Sequence, residues 1–164
     1  MKMPTRLAAL CACLALPAAF AAKIDLVDYC DPSDPGWAPT GGCLLDEGDV
    51  TLAEFNALLT SVHYASVVGH PAWTVEPTYT ELEEAGARIK VRNMGGRTHT
   101  FTEVADYGGG VVPSLSPGLT MAPECAASVR VPPGNQFDLR ISTPGLHKFQ
   151  CCIHPWMRAA IRTP

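Results

Sequence analysis

The C-terminal part of the chain carries three side chains that together can bind a soft metal ion. Cys151, His154 and Met157 lie within seven residues of one another in the segment Gly145–Met157. A thiolate, an imidazole and a weakly binding thioether form the ligand set that selects copper and serves a Cu(I)/Cu(II) couple. The remaining ligand is predicted to be His99, which lies beside a glycine turn between two predicted strands. These residues predict one mononuclear copper site.

The residues before the cysteine predict the strand that positions it. Side chains alternate between faces along a strand, so His147, Phe149 and Cys151 are predicted to point into the protein. Lys148 and Gln150 are then predicted to point outward. His147 is interpreted as a core histidine with satisfied hydrogen bonds.

Other metal chemistries fit the same residues less well. Zinc would accept Cys151, His99 and His154 but would leave Met157 unexplained, because methionine is a poor zinc ligand. A c-type haem needs a CxxCH motif, which the segment does not contain. A dinuclear copper site would need both thiolates on one side, whereas Cys151 and the adjacent Cys152 should face opposite ways. The alternative without a metal is a core cysteine with incidental histidine and methionine neighbours.

The rest of the chain after Pro71 predicts an all-β fold. Short alternating runs broken by Gly and Pro are typical of antiparallel strands in a sandwich or barrel. The predicted strands are Thr78–Leu82, Arg88–Asn93, Thr98–Val104, Ala127–Val131, Gln136–Ile141, His147–Cys151 and Ala159–Arg162.

Both ligand segments resemble the cupredoxins, the family of small blue copper proteins that includes plastocyanin, pseudoazurin and amicyanin. The resemblance covers residues 71–164. It rests on Asn…Gly-Gly…His-Thr-Phe-Thr in residues 93–102 and on Phe-Gln-Cys-x-x-His-Pro-x-Met in residues 149–157. The short gap between His154 and Met157 is similar to the ligand loop of amicyanin.

The resemblance implies a Greek-key β-sandwich holding one copper ion and acting as an electron carrier rather than an enzyme. It also implies redox partner proteins that dock near His154, with Trp156 and Pro155 as an apolar rim. The other interpretation of Trp156 is that it packs over the ligand loop. Two further alternatives stay open for the function: copper binding and delivery, and a small copper enzyme with an open coordination position.

The N-terminal part predicts export and a short extension. Residues 1–22 have a basic start, an apolar run and a small-residue cleavage site, which together are typical of a signal peptide. We therefore expect a secreted protein, in the periplasm, with no membrane span. Residues 23–70 are predicted to form an extension with a turn-rich loop and a helix, which begins at the capping box of Thr51 and Glu54 and ends near Ser61.

The cysteines outside the predicted signal peptide are odd in number. Cys30 and Cys43 are predicted to form a disulfide that holds the turn-rich loop. Cys152 has three open interpretations: a disulfide with Cys125, a buried thiol, or a contact with Thr100 that tunes the metal. At least one thiol is therefore free, paired elsewhere or bound to a metal.

Charge narrows the range of partners. The net charge of −4 disfavours nucleic acid, because binding to phosphates needs clustered Lys and Arg. We expect a monomer. His63 and His70 are interpreted as hydrogen-bonded or surface residues rather than ligands, and the acidic residues of the extension as a solvated face.

Overall fold

The computed structural model describes residues 22–60 and 73–164. Within these residues, three short 3₁₀ helices lie at Pro35–Thr40, Pro113–Leu115 and Pro123–Ala127, and one α-helix, α1, spans Leu52–Leu59. The strands are β1 (Ala22–Asp28), β2 (Trp73–Glu76), β3 (Tyr79–Glu81), β4 (Arg88–Asn93), β5 (His99–Thr100), β6 (Thr102–Val104), β7 (Arg130–Val131), β8 (Gln136–Arg140), β9 (Gly145–Gln150) and β10 (Arg158–Thr163).

The strands form two four-stranded sheets and one short ribbon. The first sheet has the order β2-β1-β4-β8, the second has the order β3-β10-β9-β6, and β5 pairs with β7. Apolar side chains from both sheets share one core, for example Ile24 and Val91 from the first sheet and Phe149 and Ile161 from the second. The predicted all-β sandwich with a short helix is confirmed.

Strand β1 lies inside the first sheet, between β2 and β4. It runs antiparallel to β2 and parallel to β4. Ile24 and Leu26 alternate with charged residues, and both are fully buried in the core. Residues 23–70 were expected to form an extension without this strand, although the alternation of apolar and charged residues is typical of a half-buried strand.

The segment between β1 and α1 is held by local bonds. Cys30 and Cys43 form the predicted disulfide. The Asp34 carboxylate accepts hydrogen bonds from the backbone N–H groups of Gly36 and Leu52, at 2.8 and 2.7 Å. Because these two donors lie on different helices, one side chain joins the 3₁₀ helix to the start of α1.

The predicted capping box of α1 is present. Thr51 Oγ1 accepts from the N–H of Glu54, and the Glu54 carboxylate accepts from the N–H of Thr51. The helix ends at Leu59, and the predicted end near Ser61 lies outside the described residues.

Several sequence predictions concern residues that the structure does not describe. The predicted signal peptide, apart from Ala22, lies there, as do His63 and His70. Within residues 22–60 and 73–164, no helix is long and apolar enough to cross a membrane.

Candidate metal centre

His99, Cys151 and His154 come together as one buried group, which we call the ligand cluster. Their ligand atoms all lie within 4.8 Å of one another. The two Nδ1 atoms are 3.1 Å apart, and Cys151 Sγ lies 3.9 Å from His99 Nδ1 and 3.8 Å from His154 Nδ1. His99 and Cys151 have no exposed surface, and His154 is 8% exposed. A thiol and two imidazoles that converge in this way fit a soft metal ion such as copper.

Secondary structure brings the three predicted ligands to one place. His99 begins β5 directly after the loop that contains Gly95 and Gly96, and Cys151 follows the last residue of β9. The loop that returns towards β10 is tight, because Cys151 N–H donates to Met157 O and Met157 N–H donates to His154 O, both at 2.9 Å. These bonds hold His154 close to the cysteine.

Met157 is fully buried, and its main chain bonds to Cys151 and His154. Its location at the end of the ligand loop agrees with the sequence motif. The assignment of its sulfur as the fourth, weak ligand stays a prediction.

The sulfur of Cys151 lies close to backbone hydrogen-bond donors. The backbone N–H groups of Thr100 and His154 point to Cys151 Sγ, at 3.3 and 3.4 Å. Burial opposes the thiolate, but hydrogen bonds with His154 and His99 outweigh it and lower the pKa of Cys151 well below its ordinary value. Since the thiolate is the form that binds metals, the site favours the reactive state of the cysteine.

His99 has a second partner on its other nitrogen. His99 Nε2 donates to Asp28 Oδ1 at 2.7 Å. Burial disfavours the charged ring, yet the hydrogen bonds to Asp28 and Cys151 raise the pKa of His99 to about 9. Asp28 was not among the predicted site residues, since it lies 71 positions before His99 in a strand that was not predicted.

His154 is covered by aromatic side chains. The Trp73 ring stacks on it, with centroids 5.5 Å apart and an interplanar angle of 17°. Trp156 is 1% exposed and contacts Phe55 of α1, with ring centroids 5.1 Å apart. Trp37 packs against both Phe55 and Trp73. Trp156 therefore packs over the loop, and its part in an apolar rim for a redox partner stays a prediction.

A cavity of about 420 Å³ remains beside these rings. His154 forms part of its wall, together with the indoles of Trp37, Trp73 and Trp156 and the ring of Phe55. The edge of His154 is thus reached through an aromatic opening rather than at an open surface.

For Cys152, the structure selects the disulfide among the interpretations that the sequence left open, and it also shows a contact with Thr100; tuning of the metal stays a prediction. It forms a disulfide with Cys125, and its N–H donates to Thr100 Oγ1 at 2.6 Å. The loop after the ligand cysteine is therefore fastened on two sides. Cys151 is the free thiol among residues 22–60 and 73–164.

The outward face of β9 is partly covered. Gln150 was predicted to point outward, but it is fully buried and bonds to Gly108 N–H and Gly109 O. Its side chain lies on the face opposite Phe149, as the alternation predicts, but the loop at residues 108–110 covers this end of the strand. His147 has the predicted satisfied bonds, to Glu103 at 2.6 Å and to Thr143 O at 2.9 Å.

Comparisons with known proteins give matches of low identity. No protein-family model and no curated protein matches the sequence. A purple cupredoxin from Nitrosopumilus maritimus is 17% identical, with a TM-score of 0.42 over 65% of this chain and 95% of its own. A mutant amicyanin in the reduced state is 17% identical, with a TM-score of 0.37 over 54% of this chain and 71% of its own. A mutant fern plastocyanin is 22% identical, with a TM-score of 0.38 over 56% of this chain and 88% of its own.

The fold is assigned from the two packed sheets and from the ligand cluster. The residues of the ligand cluster come from the two sequence motifs, at residues 93–102 and 149–157. The sandwich and its buried His-Cys-His group give this chain the kind of fold that the resemblance to the cupredoxins implies.

Proposed function

We propose that this protein holds one copper ion and carries single electrons between redox partners. His99, Cys151 and His154 would bind the metal, with Met157 as a weak fourth ligand. The observation that carries the proposal is the convergence of one cysteine sulfur and two imidazole nitrogens in a buried cluster. Copper bound by such donors supplies a one-electron couple.

The surroundings of the ligand cluster suit an electron carrier. Two backbone N–H groups offset the charge of the Cys151 thiolate, and Asp28 fixes the ring of His99. The disulfide at Cys152 fastens the residue next to the thiolate. Because these bonds hold the thiolate and the imidazole in fixed positions, little rearrangement is needed when the charge of the site changes.

Burial distinguishes the carrier from a copper-delivery protein. A delivery protein must release its ion readily, whereas here His99 and Cys151 have no exposed surface. This burial favours retention of the ion in both oxidation states and supports the carrier. The same burial argues against an enzyme in which substrate meets the metal directly.

The redox partner would approach on the side of the aromatic cover. His154 is the most exposed member of the ligand cluster, and Trp37, Phe55 and Trp73 surround the opening that leads to its ring. We propose that the partner docks over this opening, in a small and transient contact.

We also propose that the protein works outside the cytoplasm, in the periplasm. The two disulfides support this location, because disulfides persist in oxidising compartments and are rare in the cytosol.

The decisive experiment is the visible absorption and electron paramagnetic resonance spectrum of protein loaded with Cu(II). We expect an intense blue absorption and narrow copper hyperfine splitting, together with reversible one-electron voltammetry. Cys151→Ser should abolish all three. The control His147→Gln, a histidine outside the ligand cluster, should retain them.

Two results would contradict the proposal. The first is a pale, ordinary Cu(II) spectrum from the unmodified protein. The second is reversible voltammetry that survives Cys151→Ser. Rapid exchange of copper with a chelator, despite a normal blue spectrum, would instead favour the delivery role.

A further inference from the structure

Asp28 is a buried carboxylate at the end of a core strand. It is the last residue of β1, it pairs with Trp73 of β2, and only 4% of its surface is exposed. A carboxylate without compensating bonds is costly to bury. Its oxygens are divided between two donors: Oδ1 accepts from His99 Nε2 and Oδ2 accepts from the N–H of Arg97, both at 2.7 Å.

The loop that leads to His99 is built around this carboxylate. A Cβ atom added to Gly95 would lie 2.6 to 2.7 Å from the carboxylate atoms of Asp28. A side chain at this position would have to displace the carboxylate from its two hydrogen bonds, so glycine permits this close approach. The main chain of β1, the N–H of Arg97 and the Gly95 backbone therefore fix the carboxylate from three sides.

The hydrogen bond also determines which nitrogen of His99 can bind a metal. Because Nε2 donates its proton to Asp28, Nδ1 is the nitrogen that faces Cys151 Sγ and His154 Nδ1. A carboxylate on the far nitrogen orients a ligating imidazole and makes it a stronger donor. Among the described residues, His154 has no such bond to a carboxylate, and its ring stacks on Trp73.

We propose that Asp28 is a positioning residue for the metal site, acting through His99 to strengthen binding of Cu(II) more than binding of Cu(I). This inference rests on the proposed copper function. A negative charge behind one ligand stabilises the more highly charged ion, so the carboxylate lowers the midpoint potential of the site. Strand β1 thereby belongs to the metal site.

The test compares Asp28→Asn with Asp25→Asn. Asparagine keeps the shape of Asp28 but removes its charge. Asp25 is a matched control because it lies on the same strand and pairs with Arg92, away from His99. Dissociation constants for Cu(II) and Cu(I) are measured by competition with chelators, and the midpoint potential by voltammetry.

We expect Asp28→Asn to weaken Cu(II) binding by about 10- to 100-fold. Cu(I) binding should weaken less, and the midpoint potential should rise. Asp25→Asn should leave all three values unchanged. Equal losses for Cu(II) and Cu(I), or no loss of either, would overturn the inference.

A measurement on the unmodified protein covers the case in which Asp28→Asn does not fold. In the Cu(I) form, the His99 Nε2 proton should appear in the NMR spectrum shifted downfield and protected from exchange. Its absence would also overturn the inference. If the unmodified protein binds no copper, the proposed function fails and this inference fails with it; if it binds copper and Asp28→Asn behaves identically, only the role of Asp28 fails.

Discussion

Replacing Phe55 tests whether the N-terminal segment is part of the protein around the metal site. Phe55 is a buried residue of α1 that contacts Trp37, Trp73 and Trp156, at ring distances of 5.4, 4.8 and 5.1 Å. The variant Phe55→Ala removes this ring and introduces a residue of higher helix propensity. A loss of stability must then come from packing.

The magnitude follows from the environment of the ring. Truncation of a buried phenylalanine to alanine costs about 3 to 5 kcal/mol, since transfer and cavity terms add. The higher helix propensity of alanine returns about 0.5 kcal/mol. We therefore expect the free energy of unfolding to fall by about 2.5 to 4.5 kcal/mol.

Urea denaturation of the copper-free protein measures this change. The matched control is Leu58→Ala on the same helix, where the side chain is 36% exposed and should cost about 1 kcal/mol or less. The ring of Phe55 also covers Trp156 and Trp73. In the Cu(I)-loaded protein, Phe55→Ala should therefore open the approach to His154 and increase the rate at which ferricyanide oxidises the copper. Equal destabilisation by the two variants would refute the packing of α1 on the sandwich.

Two further predictions concern single hydrogen bonds. Thr100→Val keeps the side-chain shape but removes the acceptor of the Cys152 N–H. It should lower the free energy of unfolding by about 1 to 3 kcal/mol. An unchanged urea midpoint would contradict that hydrogen bond. The bond to Glu103 raises the pKa of His147 against the opposing effect of burial. Its contribution is therefore full below the pKa of an unfolded histidine, about 6.5, and disappears as the pH rises through the folded-state pKa. Glu103→Gln should lower the urea midpoint more at about pH 5.5 than at about pH 8.5, and the opposite order would contradict the pairing.

The ligand cluster was predictable because its geometry is mostly local. Cys151 and His154 lie at the end of one strand and in the tight loop after it, so their spacing nearly determines their separation. His99 required only that a glycine loop and a strand lie beside them. Residue types and short spacings contain that information.

The surroundings of the cluster were not predictable in the same way. Asp28 and Trp73 lie next to the ligands only because β1 and β2 pair in the first sheet, and nothing in the local sequence determines that pairing. Gln150 shows a related limit: alternation along β9 assigned its face correctly as opposite to Phe149. Alternation could not show that the loop at residues 108–110 covers that face.

The two histidines of the ligand cluster have different environments, and this difference separates two properties of the proposed site. His99 is fully buried and bonded to the Asp28 carboxylate, so its surroundings act mainly on the relative stability of the oxidation states. His154 lies against Trp73 at the wall of the cavity, so its surroundings act mainly on access by a partner. Changes at Asp28 should therefore alter the potential, whereas changes at Phe55 should alter the rate of electron exchange. Both residues belong to the part of the chain before β2, which makes that segment a component of the site rather than an appendage to it.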